Sequence, residues 1–207
     1  MISQKYAIFD MDGTLVDSMQ YWRNILSEYL QMPVSKEYAE KIAAMTITES
    51  IALTIQEFKL KKSSRVIFDE ISEIMYHHYI NDIPLKAGVA EYLHKLHQND
   101  VRMCIASASP VQLIRAVAAH HKITDNFEFF CSTEDGFPDK REPDIFLYCA
   151  AKFGAEPQES TVFEDSFSAI KSAKKANFNV VAVYDDTQKE YWDEIIKTAD
   201  RYKISFL

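Results

Sequence analysis

Long apolar runs are what this sequence lacks first. Nowhere in its 207 residues do the roughly 18 consecutive apolar positions of a membrane-spanning helix occur. The opening Met1-Ile2-Ser3-Gln4-Lys5 has no apolar stretch of the kind a secretory signal carries, so a cytoplasmic protein with no membrane partner is expected. Cysteine is scarce too. Cys104, Cys131 and Cys149 are widely spaced and each lies in an apolar segment, which argues against a disulfide framework or a zinc site and predicts buried, reduced thiols. Positive charge is in deficit: 23 Lys and Arg face 31 Asp and Glu, and the formal net charge of −8 repels nucleic acid. The basic run Lys59-Leu60-Lys61-Lys62 is short and reads as a solvated helix end. An acidic surface does not favour a phosphorylated ligand either, so any phosphate site must be made locally positive by backbone amides, lysine or metal.

What is present is 47% hydrophobic sequence, enough to bury a sizeable core, with no internal repeat or low-complexity segment. Lys5 to Phe9 is a short apolar run reaching Asp10, and Asp12-Gly13-Thr14 after it is turn chemistry, so a strand is predicted to stop at Asp10. The period then changes to that of a helix: Met19, Trp22, Ile25, Leu26, Tyr29 and Leu30 share one face, and further helical patterns cover about 36–45, 49–61 and 65–80. Beyond Asn81-Asp82-Ile83-Pro84, helical and strand patterns alternate, with strands predicted at 101–106, 127–131, 161–164 and 179–183 and helices near 88–98, 110–120, 143–153, 166–176 and 188–198. Tyr202 to Leu207 reads as an apolar tail. The fold class is α/β: a Rossmann-like parallel-sheet core, residues 1–16 and 84–207, interrupted by an inserted all-helical cap domain, residues 17–83.

Open parallel sheets bind ligands outside the carboxyl ends of their strands, which directs attention to the acids there. Asp10 and Asp12 are two positions apart in an extended segment and point the same way. Two carboxylates in one small volume repel unless a cation sits between them or one keeps a proton. Either Asp alone would be an ordinary turn residue. Glu164 and Asp165, ending another apolar strand, bring the rim to four acids, with Lys140 as the nearby cation.

Asp10-Met11-Asp12-Gly13-Thr14-Leu15-Val16-Asp17-Ser18 resembles the first signature of the haloacid dehalogenase superfamily. Ile105-Ala106-Ser107-Ala108-Ser109 resembles the second, Lys140-Arg141-Glu142-Pro143-Asp144-Ile145-Phe146 the third and Phe163-Glu164-Asp165-Ser166 the fourth. Within the superfamily the chain looks most similar to phosphatases related to beta-phosphoglucomutase, and Pro84-Leu85-Lys86-Ala87-Gly88-Val89 resembles their return hinge from cap to core. The resemblance implies a phosphatase of a small phosphorylated metabolite, such as a sugar phosphate, working through an aspartyl-phosphate on Asp10. It implies Asp12 as general acid and then base, and Mg²⁺ held by Asp10, the main-chain carbonyl of Asp12 and Asp165, with Glu164 as an outer ligand. Ser107 and the amide of Ala108 would bind phosphate oxygens together with Lys140, beside which Arg141 is a rival donor. A monomer or weak homodimer is expected, with the cap closing over the rim to exclude water.

Two departures matter. Where the mutase branch carries a phosphate-gripping arginine in the cap and a histidine after the first signature, this chain has Ile47, within Met45-Thr46-Ile47-Thr48-Glu49-Ser50, and Trp22. Trp22, Met45 and Ile47 are therefore expected to offer apolar surface to a substrate, and a mutase is the runner-up reading. Asn177 stands where a glycine often ends a helix, and Asn tolerates the left-handed conformation needed there. A rival of another class is a signalling receiver domain, also phosphorylated on a strand-end aspartate, though receivers have no helical insert after the first strand. A silent binding protein on the same fold is disfavoured because every expected acid is present.

Overall fold

The computed structural model describes residues 5–43 and 45–207. The four residues before Lys5, read above for a signal segment, and residue 44, inside a stretch read as helical, lie outside the described residues. In chain order the elements are β1 (Tyr6–Phe9), α1 (Met19–Leu30), α2 (Lys36–Ala43), α3 (Ile47–Phe58), α4 (Ser64–Asn81), α5 (Val89–Gln98), β2 (Arg102–Ser107), α6 (Val111–His120), β3 (Phe129–Ser132), α7 (Asp144–Phe153), β4 (Ser160–Glu164), α8 (Phe167–Lys175), β5 (Asn179–Val183), α9 (Trp192–Thr198) and β6 (Arg201–Lys203). No helix among the described residues is long and apolar enough to cross a membrane.

The strands form one parallel sheet in the order β3-β2-β1-β4-β5-β6. β1 lies inside it, with Phe9 opposite Ile105 on one side and Phe163 on the other. Ala7, Ile8, Phe9, Val162, Phe163 and Val180 are all buried, as continuous apolar strands covered on both faces require. One layer of that cover comes from α7 and α8. Ile145, Phe146, Cys149, Ala150 and Phe153, spaced three and four apart, pack with Ala169, Ile170 and Ala173 against Ile8, Cys104 and Cys131. The three cysteines are buried and form no disulfide.

Local chemistry sets the ends. α7 stops at Gly154 in the left-handed region (φ 73°), and after α8 Asn177 takes the same conformation (φ 65°), as its side chain permits. The β1 ladder ends one residue short of the expected Asp10, but the Asp10 N–H still donates to the Phe163 carbonyl at 2.9 Å, so its backbone is fixed by the sheet. β6 is a correction: Tyr202 and Lys203, from the stretch read as an apolar tail, pair with Ala182 and Val183 in an edge strand that starts at Arg201.

The chain divides into two compact units, one comprising the chain up to Met19 with Ile83–Leu207, the other Gln20–Asp82. In the helical unit, Ile25, Leu26, Ile51, Ile67, Ile71, Met75 and Tyr79 are buried. Its α3 begins on a capping box, in which the Glu49 N–H donates to the Thr46 hydroxyl at 3.2 Å and the Thr46 N–H to the Glu49 carboxylate at 2.7 Å. In the sheet unit, the strands of chain that leave and re-enter it are tied together: the Asp17 N–H donates to the Pro84 carbonyl at 3.0 Å and the Lys86 N–H to the Leu15 carbonyl at 2.9 Å.

Candidate active site

Asp10 follows β1, Ser107 ends β2, and Glu164 ends β4 with Asp165 next, so the sheet delivers all four to its carboxyl edge. Lys140, from the loop before α7, is held by its own carbonyl, which accepts the Ser172 hydroxyl at 2.6 Å. Its ammonium reaches Asp10 Oδ1 and, at 2.9 Å, Glu164 Oε2. The other oxygen of Glu164 accepts the Ser166 N–H at 3.1 Å, and Asp165 Oδ1 accepts the Thr14 hydroxyl at 3.2 Å. Asp10 Oδ2 is buried and has no hydrogen-bond partner among the described residues.

Carboxylate oxygens of Asp10, Glu164 and Asp165 lie within 4.8 Å of one another. Among the described residues one ammonium, Lys140, contacts these three acids, so two negative charges would be in excess if all three were ionised. Burial and then Glu164 push the Asp10 carboxyl up to about 8 despite Lys140. Asp165 is likewise driven well above the carboxylate range by burial, Glu164 and Asp10. Burial alone would draw the proton from Lys140, but Asp10 and Glu164 outweigh it and hold the ammonium above its ordinary range. One divalent cation on hard oxygen ligands would cancel the excess and give Asp10 Oδ2 a partner, so the residues present fit Mg²⁺.

Asp10 keeps its proton to about 8 in the folded chain and would lose it near 3.8 once unfolded. Unfolding therefore releases a proton between those values, and the metal-free protein should lose stability as pH rises from about 4 to about 8. The slope is at most about 1.4 kcal/mol per pH unit for each proton released. Chemical denaturation in chelator across this range measures it; a stability that rises steadily over the window would contradict the buried charge excess.

Asp12 faces a different environment. The Ser18 hydroxyl donates to its Oδ1 at 2.6 Å and the Ser109 hydroxyl to its Oδ2 at 2.7 Å, so serines hold both carboxylate oxygens. Ser109 is braced in turn, since its carbonyl accepts the Ser132 hydroxyl at 2.9 Å and its N–H donates to Ser107 Oγ at 3.1 Å. Ser107 is buried and keeps its own hydroxyl hydrogen free of that bond, while Ala108 beside it is exposed. The choice between Lys140 and Arg141 is geometric: Arg141 is exposed and pairs with Asp139 at 2.8 and 2.6 Å. Gly13, at φ 80°, lets the turn after β1 press against Asp165; a Cβ there would sit 2.8 Å from Asp165 Cγ and 2.9 Å from Met19 Cγ.

The structure thus brings Asp10, Asp12, Ser107, Lys140, Glu164 and Asp165 to one edge of the sheet unit. Trp22, Met45 and Ile47 belong to the helical unit, where all three are half-buried. The Trp22 indole N–H donates to the Tyr79 hydroxyl at 3.1 Å, and Ile47 is the first residue of α3. From the sequence Ser109 is one of the strand-end residues and neither it nor Ser18 receives a role; the signal available is that both fall inside signature segments.

A family model described as haloacid dehalogenase-like hydrolase matches residues 7–183. The chain is 29% identical over 195 residues to a probable pseudouridine-5'-phosphatase of Drosophila melanogaster, a match covering 87% of this chain and 81% of that protein. It is 24% identical over 192 residues to beta-phosphoglucomutase of Bacillus subtilis, covering 86% and 83%. In fold it is similar to CbbY of Rhodobacter sphaeroides, crystallised with phosphate, at a TM-score of 0.85 and 20% identity over 100% of this chain and 95% of that one. With the family match running from inside β1 to the end of β5, the chain belongs to the haloacid dehalogenase-like hydrolases.

Proposed function

We propose that this enzyme is a Mg²⁺-dependent phosphatase of a small phosphorylated metabolite, a sugar phosphate or similar monophosphate, acting through an aspartyl-phosphate on Asp10. The observation that carries the reading is the division of labour at the rim: Asp10 belongs to a buried cluster of three acids contacted by the Lys140 ammonium, while two serine hydroxyls bond the carboxylate of Asp12. Asp10 and Asp165 would hold the ion, with Glu164 outside them and the main-chain carbonyl of Asp12 completing the protein ligands. When bound, Mg²⁺ would screen the charge of the phosphate and of the attacking carboxylate.

The protein's own groups would do the rest. A carboxylate oxygen of Asp10 forms a bond to phosphorus as the ester P–O bond breaks, and Asp12 gives its proton to the leaving oxygen. Water then attacks the phosphorus, the bond from phosphorus to Asp10 breaks, and Asp12 takes the proton that water loses. Lys140 offsets charge on the phosphate and Asp10 together, and the Ser107 hydroxyl and Ala108 amide bind phosphate oxygens. Ser18 and Ser109 hold the Asp12 carboxylate in one orientation for both proton transfers.

Hydrolysis is favoured over a mutase reaction by Ile47. A mutase must hold a second phosphate with a cation while shielding the phosphoenzyme from water, and Ile47 brings no charge to the start of α3. A charged hydrogen bond is worth about 1.5–3 kcal/mol, so its lack weakens a bisphosphate by roughly ten- to a hundredfold. Incubation with beta-glucose 1-phosphate and a trace of glucose 1,6-bisphosphate in Mg²⁺ should release phosphate and form little glucose 6-phosphate. Glucose 6-phosphate appearing faster than phosphate would make the enzyme a mutase. In the same assay, run across a panel of sugar and nucleoside monophosphates, chelator should stop turnover, Mg²⁺ should restore it, and Ca²⁺ should inhibit because its looser, higher coordination misplaces Asp10. Full activity in excess chelator would refute the metal requirement.

A further inference from the structure

A second buried ion pair lies beside the first. The Lys86 ammonium donates to the Tyr184 carbonyl at 2.7 Å and to Asp185 Oδ2 at 2.9 Å, and Asp185 Oδ1 accepts both the Thr187 N–H at 2.9 Å and its hydroxyl at 2.6 Å. The side chains are 14% and 5% exposed. The register places this pair. Glu164 is opposite Ala182, so Asp165 lies one residue past that rung and Asp185 three residues past it on the neighbouring strand's path. Two residues along and one strand across put the two backbones about 8 Å apart at ordinary sheet spacings. The backbone of Lys86 is tied to the same corner, because its N–H bonds Leu15 and the preceding Thr14 bonds Asp165. Asp165 also feels both charges, Asp185 raising its proton affinity and Lys86 lowering it.

We propose that Lys86 and Asp185 are positioning residues for the divalent-cation site, a balanced pair whose two opposite charges tune how tightly Asp10 and Asp165 hold the ion. The inference rests on the metal reading above. A buried ion pair is a poor way to gain stability, since an apolar pair of similar size often does as well. Beside a divalent cation its charges have another effect. Intact, they nearly cancel at the ion; with one removed, the survivor acts on a doubly charged ligand through a poorly screened interior.

Binding of Mn²⁺, followed by the loss of its free-ion paramagnetic resonance signal, tests this without reference to turnover. At low salt and pH 8.5, Asp185→Asn leaves Lys86 unbalanced and should weaken Mn²⁺ by about three- to tenfold. Lys86→Met leaves Asp185 unbalanced and should tighten it by a similar factor. The added negative charge also favours protonation of Asp165, but a divalent ion feels it twice as strongly as a proton does, so the sign holds. The double variant should return close to the wild-type affinity, and high salt should shrink both shifts. Should Lys86→Met fail to fold, Asp185→Asn and the double variant decide alone. A merely structural pair would weaken Mn²⁺ in every variant, and shifts of one sign, or none beyond twofold while the wild type binds, overturn the proposal. If the wild type binds no Mn²⁺, the metal reading itself fails and takes this inference with it.

Discussion

Asp10→Asn is expected to lower turnover by three or more orders of magnitude while leaving the metal-free protein as stable as the wild type or more so. Activity falls because Asn offers no oxygen nucleophile able to accept and release a phosphoryl group, and acting groups of this kind are worth factors of that size. Stability holds because the substitution removes a carboxylate that burial and Glu164 already push toward its neutral form, while Lys140 keeps its 2.9 Å contact with Glu164. Steady-state assay and thermal melting in chelator read the two effects separately. Turnover above about one per cent of wild type in purified Asp10→Asn protein would rule out the covalent route, whatever the melting curve shows.

Lys140→Met is expected to fail on both counts. The ammonium touches Asp10 and Glu164 and its side chain is 10% exposed, so its loss leaves three buried acids facing one another without the ammonium that contacts them. Removing one partner of a buried ion pair costs about 3–5 kcal/mol, a large share of the stability of an ordinary domain. Activity should fall with it, and Mg²⁺ should recover part of the lost stability and little of the lost rate. The contrast with Asp10→Asn is the sharper observation. Two residues that bond each other should move stability in opposite directions, because one belongs to the surplus charge and the other relieves it. A Lys140→Met protein as stable as wild type in chelator would mean that the cluster is not a buried excess of negative charge.

Much of this was visible in the chain. The strands at 101–106, 161–164 and 179–183 are legible because parallel strands covered on both faces are almost wholly apolar, and Gly154 and Asn177 mark helix ends through the one backbone conformation they tolerate better than other residues. Asp10, Glu164 and Asp165 are legible because acids at the ends of such strands have no packing reason to be there. What escaped has physical causes too. β6 is a short edge strand whose Arg201 and Tyr202 are both exposed, so it carries no apolar run. The serine grip on Asp12 joins positions far apart in sequence, Ser109 across 97 residues, and hydroxyls give no periodic signal. Asp185 is different: it follows a buried strand just as Asp10 and Asp165 do, and the strand-end rule that selected those two applies to it equally.

The place of β1 in the sheet constrains how the molecule assembles. Its first residue, Tyr6, finds its partners far along the chain, at Arg102 on one side and at Ser160 on the other, so the strand waits for both. The helical unit needs no such wait, since Gln20–Asp82 is one continuous stretch of chain. Long loops closed late make folding slow, and they keep an apolar strand with two open edges exposed in the meantime. A chain halted before Ser160 would leave one side of Tyr6–Phe9 permanently unmatched, a template for another copy of itself. Asp10, the proposed nucleophile, follows that strand, so its placement waits on both pairings.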